Sequence, residues 1–157
     1  FGADGGLYVG SYAKQLERFD PATGKHKSVL VTKGWIWGTP VADGDNIYFG
    51  DVDGYFYSYN TKDGKLNWEP VKLDESIIAS PLVYTDGVLI VAESGNVYFV
   101  DGTGKVKLWH AAPAKGKAYT TPVSAGGYVL VSYIESDYYL TALDNDGDQK
   151  WTFPAGK

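Results

Sequence analysis

The sequence predicts an all-β fold built from one repeated four-stranded unit, and three observations predict it. The first is a period. Thr39-Pro40 returns as Ser80-Pro81 and again as Thr121-Pro122, 41 residues apart each time. Gly24-Lys25, Gly64-Lys65, Gly104-Lys105 and Gly147-Asp148 recur on nearly the same step. Trp68, Trp109 and Trp151 come four or five residues after the last three of those glycines, and Ser28 holds the place in the first unit. The second is composition: 15% aromatic residues, with 13 Tyr, 5 Trp and 20 Gly among 157 residues, suits aromatic-rich strands joined by tight turns. The third is that no stretch carries apolar residues at helical spacing, so no helix is expected. An ordinary β-sandwich also spaces its strands evenly, but it does not require Pro, Gly and Trp to return in phase.

Each unit divides into four short strands. In the second unit, strand A is expected over Trp35 to Ala42, ending at the Thr-Pro pair. Strand B covers Asn46 to Gly50, strand C Tyr55 to Asn60 and strand D Lys65 to Trp68. Asp53-Gly54 and Asp63-Gly64 separate the last three, because Gly accepts a positive φ without a Cβ clash. The third unit repeats this with Val88 to Ala92, Asn96 to Asp101 and Lys105 to Trp109. The fourth has Tyr128 to Tyr133, Tyr138 to Asp144 and Gln149 to Phe153. Phe1 aligns with Val41, so the first unit lacks most of its inner strand. Four-stranded units at a period of about 40–45 residues are the mark of a β-propeller. The expected blades span 1–34, 35–74, 75–116 and 117–157 of a single partial propeller domain.

The segment from Thr39 to Trp68 (T-P-V-x-D-G-D-N-I-Y-F-G-D-V-D-G-Y-F-Y-S-Y-N-T-K-D-G-K-L-N-W) resembles the repeat of PQQ-like, or pyrroloquinoline-quinone-type, propellers. The segment from Tyr139 to Phe153 resembles it more closely still. The resemblance covers nearly the whole chain. It implies that Trp68, Trp109 and Trp151 dock each blade on the next, with Ser28 leaving one edge less firmly held. It also implies a periplasmic or extracellular location, and a ring larger than four blades.

Acidic residues outnumber basic ones 19 to 14, for a net charge of −5, which removes the basic footprint of a nucleic-acid binder. Zero Cys excludes disulfides, thiolate metal sites and Cys nucleophiles, and zero Met implies a processed chain or a piece of a longer one. No apolar run is long enough to span a membrane as a helix. The turn Asp144-Asn145-Asp146-Gly147-Asp148 has the acidity of a calcium loop. Its Gly is fourth rather than sixth, and Ala155 stands where the twelfth-position Glu belongs, so it reads as a hairpin turn. His26 and His110 have no second His or carboxylate at ligand spacing and read as solvated or packed. No P-loop, nucleophile elbow or zinc-protease motif is present, so no catalytic residue, metal or cofactor is expected.

One departure between units points to a binding surface. Aligned on the Pro pairs, Trp37 matches Ile78 and Tyr119, while Trp35 matches Ser76 and Lys117. Trp35 and Trp37 either fill the core between blades or form an aromatic surface at the channel mouth, with Tyr12, Tyr119, Tyr138 and Tyr139 near it. The expected function is a non-enzymatic scaffold that binds a protein or extended ligand through loops and channel mouth. A carbohydrate-binding or sensory module is one alternative. The other is a fragment of a quinoprotein dehydrogenase using pyrroloquinoline quinone and calcium, with Glu93, Glu135 or Asp51 as carboxylates. For the ring, three arrangements stand: a sector of a larger chain, a homodimer closing eight blades, or a four-blade ring closed alone.

Overall fold

The structure is a computed structural model that describes residues 1–154; residues 155–157, the last of the expected fourth blade and including Ala155 at the twelfth position of the calcium-loop comparison, lie outside the described residues. Four antiparallel sheets succeed one another along the chain, with no helix among the described residues. The first has three strands: β1 (Leu7–Gly10), β2 (Gln15–Phe19) and β3 (His26–Val31). The second runs β4 (Val41–Asp43), β5 (Asn46–Gly50), β6 (Tyr55–Asn60), with its outer edge split into β7 (Lys65–Leu66) and β8 (Val71–Lys72), both paired to β6. The third runs β9 (Leu82–Tyr84), β10 (Gly87–Val91), β11 (Val97–Asp101), β12 (Val106–His110). The fourth runs β13 (Val123–Ala125), β14 (Tyr128–Ser132), β15 (Tyr138–Leu143), β16 (Gln149–Pro154). The first sheet is one inner strand short, as the alignment of Phe1 with Val41 requires.

The apolar core lies in the three seams between successive sheets. Ile47, Phe49, Tyr57 and Tyr59 face Tyr8 and Leu16 in the first seam. Tyr48 and Phe56 face Val88, Ile90 and Val100 in the second. Leu89, Val91, Val97 and Trp109 face Val129, Val131 and Leu143 in the third. Strands β5 and β10 alternate in this way because successive side chains point to opposite faces and both faces of an internal blade are covered, whereas β14 buries only Val129 and Val131, on the face toward the third sheet.

The inner strands correct the expected boundaries. The sequence puts strand A of the second unit before the Pro, over Trp35 to Ala42. The observed strand starts after it, at Val41, and the third and fourth units do the same at Leu82 and Val123. Pro has no N–H to give a ladder, so it marks the strand's first edge rather than its end. The residue before each Pro has another use. The Thr39 amide donates to Ser80 Oγ at 2.8 Å, and the Ser80 amide to Thr121 Oγ1 at 3.2 Å. These bonds tie the second blade to the third and the third to the fourth, and they give the Ser80 and Thr121 hydroxyls their use. Strand D of the second unit also differs: the ladder breaks at Asn67 to Pro70 and resumes at Val71.

Candidate functional site: an aromatic face beside the first seam

The chain linking one blade to the next is built the same way at all three seams. The central residue of each link is buried: Ile36, Ile77 and Ala118. Its amide donates to a carbonyl in the B–C turn of the preceding blade: Ile36 to Ser11 at 3.3 Å, Ile77 to Asp51 at 3.0 Å, Ala118 to Glu93 at 3.2 Å. The residue before it accepts from the next blade: Trp35 O from the Val52 amide at 2.9 Å, Ser76 O from Glu93 at 2.8 Å, Lys117 O from Ile134 at 2.8 Å. Ile36 and Ile77 press so close to Gly10 and Gly50 that a Cβ there would overlap them. In this extended link the buried residue's two neighbours must point outward.

That alternation sets the exposure of the flanking positions. Trp35 is 46% exposed and Trp37 58%, so neither fills the core between blades; the Ile between them does. They lie in the interblade link and not on strand A. Tyr12, in the turn after β1, meets both edge-on, with ring centroids 5.6 Å from Trp35 and 5.8 Å from Trp37. The three rings form one exposed aromatic cluster. Beside it a groove of about 350 Å³ is lined by Lys14, Gly34, Trp35, Val52 and Asp53.

The link beneath the cluster is held by a fully buried carboxylate. Asp51 accepts from the Gly34 amide at 2.8 Å, the Tyr57 hydroxyl at 2.7 Å and the Tyr55 amide at 2.9 Å. The Tyr57 hydroxyl accepts in turn from the Lys33 amide at 2.9 Å. Burial, with Asp51 alongside, pushes the Tyr57 hydroxyl above its ordinary range, so it stays a donor. Sequence reasoning missed this support. The only signal was that Asp51 stands where Ala92 and Tyr133 come after the equivalent strands.

Further round the same end, Tyr119 donates to Glu93 Oε1 at 3.0 Å, and Lys117 Nζ lies 2.8 Å from Glu75 Oε2. The bond to Glu93 raises the Tyr119 hydroxyl above its ordinary value. Tyr138 is half-buried at the start of β15 and Tyr139 is exposed beside it, both on the fourth sheet. The structure therefore joins Tyr12, Trp35 and Trp37, sets Tyr119 in a separate polar group, and leaves Tyr138 apart from both.

At the opposite ends of the strands the turns carry the docking geometry. A Cβ on Gly104 would lie 2.7 Å from Trp68 Cγ, and one on Gly147 2.9 Å from Trp109 Cδ2. Each Trp thus covers the turn glycine of the next blade. Trp151 is 44% exposed. Gly64 is exposed, as Ser28 in place of Trp requires. His110 takes part in this packing, with Nδ1 3.0 Å from Gly147 O. His26 has a carboxylate after all, Glu17 at 3.3 Å across the β2–β3 pair, which spacing along the chain does not show. A crevice of about 390 Å³ at this end, lined by Tyr84, Phe99, Trp109 and Asn145 among others, is the outer mouth of the third seam.

The acidic turn closes on itself. Asp144 Oδ1 accepts from the Asp146 and Asp148 amides at 3.0 and 2.9 Å, and Lys150 pairs with Oδ2 at 2.6 Å. No group of three or more metal-ligating side chains occurs among the described residues. The carboxylates offered for a quinone-calcium centre do not fit one. Asp51 is buried with three donors on it, Glu93 holds Tyr119, and Glu135 sits in a turn of the fourth sheet at φ 57°.

Comparison with known proteins bears on the family. The sequence profile described as outer membrane protein assembly factor BamB, a PQQ-type repeat family, matches residues 1–106 and 72–157. The chain belongs to this family. The crystal structure of BamB from Moraxella catarrhalis superposes with a TM-score of 0.75 at 16% identity, over 92% of this chain and 45% of that one. Methanol dehydrogenase (cytochrome c) subunit 1 from Methylobacterium organophilum is 29% identical over 72 residues, and the same subunit from Methylorubrum extorquens matches equally. That stretch is 45% of this chain but 11% of the dehydrogenase subunit, so the chain spans a small part of those relatives. No helix among the described residues is long and apolar enough to cross a membrane.

Proposed function

We propose that the chain is a non-enzymatic PQQ-like scaffold that binds an extended segment of a protein partner on the face carrying Tyr12, Trp35 and Trp37. The observation that carries this reading is the exposure of three mutually packed rings on a link whose backbone is fixed by Asp51 and by both neighbouring blades. Rigid aromatics offer large contact area with little ordering cost, which is why Trp and Tyr dominate binding hot spots. The groove beside Trp35, with Lys14 and Asp53 both in its lining, suits the polar backbone of an extended chain. The match to an outer membrane protein assembly factor supports a protein partner and a periplasmic or extracellular setting.

The dehydrogenase reading has one observation in its favour, the 72-residue match. Against it stand the zero Cys count and the occupied carboxylates. The resemblance is one of repeat to repeat, and repeats of this kind set a fold rather than a chemistry.

The test is a titration with aromatic-rich β-strand peptides, read by Trp fluorescence, beside soluble oligosaccharides. Saturable peptide binding that weakens at least about tenfold in the Trp35→Ala, Trp37→Ala double variant supports the reading. Binding only to oligosaccharides would replace it with a glycan-binding module. Peptide binding untouched by the double variant, or no binding at all, would sink it.

A further inference from the structure

The outward residues of the three links fall into two rows, and the row nearer the inner strands is apolar throughout. Trp37, Ile78 and Tyr119 each follow the buried residue of their link, and each stands two residues before the Thr or Ser of the Pro pair. Trp35, Ser76 and Lys117 make the other row, which is mixed. Trp37 and Tyr119 are exposed and Ile78 is half-buried. Single exposed apolar side chains are ordinary on a protein surface, but three in one row make a patch that calls for an occupant.

The row is continuous. A Cβ on Gly38 would lie 2.9 Å from both the Ile78 and the Ala79 carbonyl oxygens, so the first link runs directly against the second beside Trp37. Two residues beyond the row, the Thr39 amide reaches Ser80 Oγ at 2.8 Å and the Ser80 amide reaches Thr121 Oγ1 at 3.2 Å. One amide, one hydrogen bond and one Cβ together span at most about 7 Å between Cα atoms. Alternate residues of a β-strand stand roughly 6.4–6.8 Å apart on one face. A strand laid along the row therefore sets side chains i, i+2 and i+4 on Trp37, Ile78 and Tyr119 in turn.

The charge beside the row is uneven. At the Trp35 end, Lys14 and Asp53 line one groove and offset each other. At the other end Tyr119 lies in the field of Glu93, Glu135 and Lys117, and Lys117 is already paired with Glu75 at 2.8 Å. Three carboxylates against one ammonium make that end negative, and a negative patch favours a cation on whatever covers it.

We propose that the partner segment runs along this row, with apolar side chains at three alternate positions on Trp37, Ile78 and Tyr119 and a basic side chain just beyond the one on Tyr119. The inference rests on the proposed binding face and adds the path of the segment and its sequence requirement.

Two dye-labelled peptides of one composition test it by fluorescence anisotropy. Both end in Lys; one carries three Val at alternate positions between Thr residues, and the other carries the three Val side by side. The alternating peptide is expected to bind at least about tenfold tighter. Tyr119→Ala and Ile78→Ser should each remove most of that advantage. Tyr119→Phe keeps the ring and should keep the advantage, and the exposed site predicts an unchanged circular dichroism spectrum for both Tyr119 variants. Glu in place of the peptide's Lys should weaken binding, and more so at low salt. Equal affinity for the two Val arrangements, or wild-type binding of the alternating peptide by Tyr119→Ala, would overturn the row. If the Trp35→Ala, Trp37→Ala double variant still weakens binding in that case, the aromatic face stands and only its extension falls. A Glu-ended peptide that binds as tightly as the Lys-ended one would overturn the basic requirement. No binding of either peptide by the unaltered chain would sink the row and the face together.

Discussion

Trp109 and Gly147 show how much a single contact carries in this array. The Trp109 ring is 9% exposed and lies against a glycine whose Cβ would collide with it. Trp109→Ala should therefore cost about 3–5 kcal/mol in urea unfolding, and Trp68→Ala less, since Trp68 is only half-buried. The glycines give a sharper comparison. Gly24→Ala and Gly147→Ala both force a side chain into the left-handed region, at roughly 1–2 kcal/mol. At Gly147 the new methyl also meets the Trp109 backbone, adding about 1–3 kcal/mol of overpacking. Equal losses in the two variants would show that the Trp seat does not constrain its glycine. The phase of these Trp residues was legible in the sequence because three of them recur after Gly at one spacing. The outward orientation of Trp35 and Trp37 was not. In G-W-I-W-G either the two rings or the Ile can face inward, and only the depth of the site above Gly10 selects the Ile.

The turns and links decide where each element starts and stops. The four C–D turns open on Asp20, Asn60, Asp101 and Asp144, each accepting from amides two to four residues ahead. The Thr23 and Ala22 amides hold Asp20 below its ordinary carboxylate value, Thr103 does so for Asp101, and Lys150 for Asp144. A carboxylate with a lowered folded pKa contributes stability that is present above its unfolded value and lost as pH falls through the folded one. The urea midpoint should thus hold down to about pH 4 and fall below it. A midpoint that rises on acidification would contradict this. Asp51→Ala tests the links: it strands the buried Gly34 amide and Tyr57 hydroxyl, at about 1–3 kcal/mol for each group left unsatisfied, and frees the half-buried Tyr55 amide. The loss should appear as faster amide exchange over Lys33 to Trp37. Strands B and C were legible because alternating apolar residues on two buried faces fix both their length and their phase. Strand A was not. Pro40 reads as the stop of a strand before it, whereas in the fold it opens the strand that starts at Val41. The residues ahead of Pro40 pair instead with turns and hydroxyls of other blades.

At the scale of the whole molecule, the three apolar clusters of the described residues lie in seams between neighbouring sheets, so the array is close to one-dimensional. The repeat disclosed the propeller because every blade must solve the same packing problem with the same residues. It could not disclose the function, which depends on how one link differs from the others. Ser76 and Ile78 take the places of Trp35 and Trp37 in the next link, and the fold is indifferent to the exchange because both positions face outward. Which end of the strands carries the binding surface is the central question. It is tested most directly by amide-resolved NMR of the chain titrated with an aromatic-rich β-strand peptide. Shifts are expected to be confined to Ser11 to Lys14, Gly34 to Gly38 and Val52 to Asp53 and, for a segment that follows the row onward, Ile78 and Tyr119. Shifts centred instead on the crevice at Tyr84 and Asn145, or no shifts with saturating peptide, would contradict a binding face at Trp35 and Trp37.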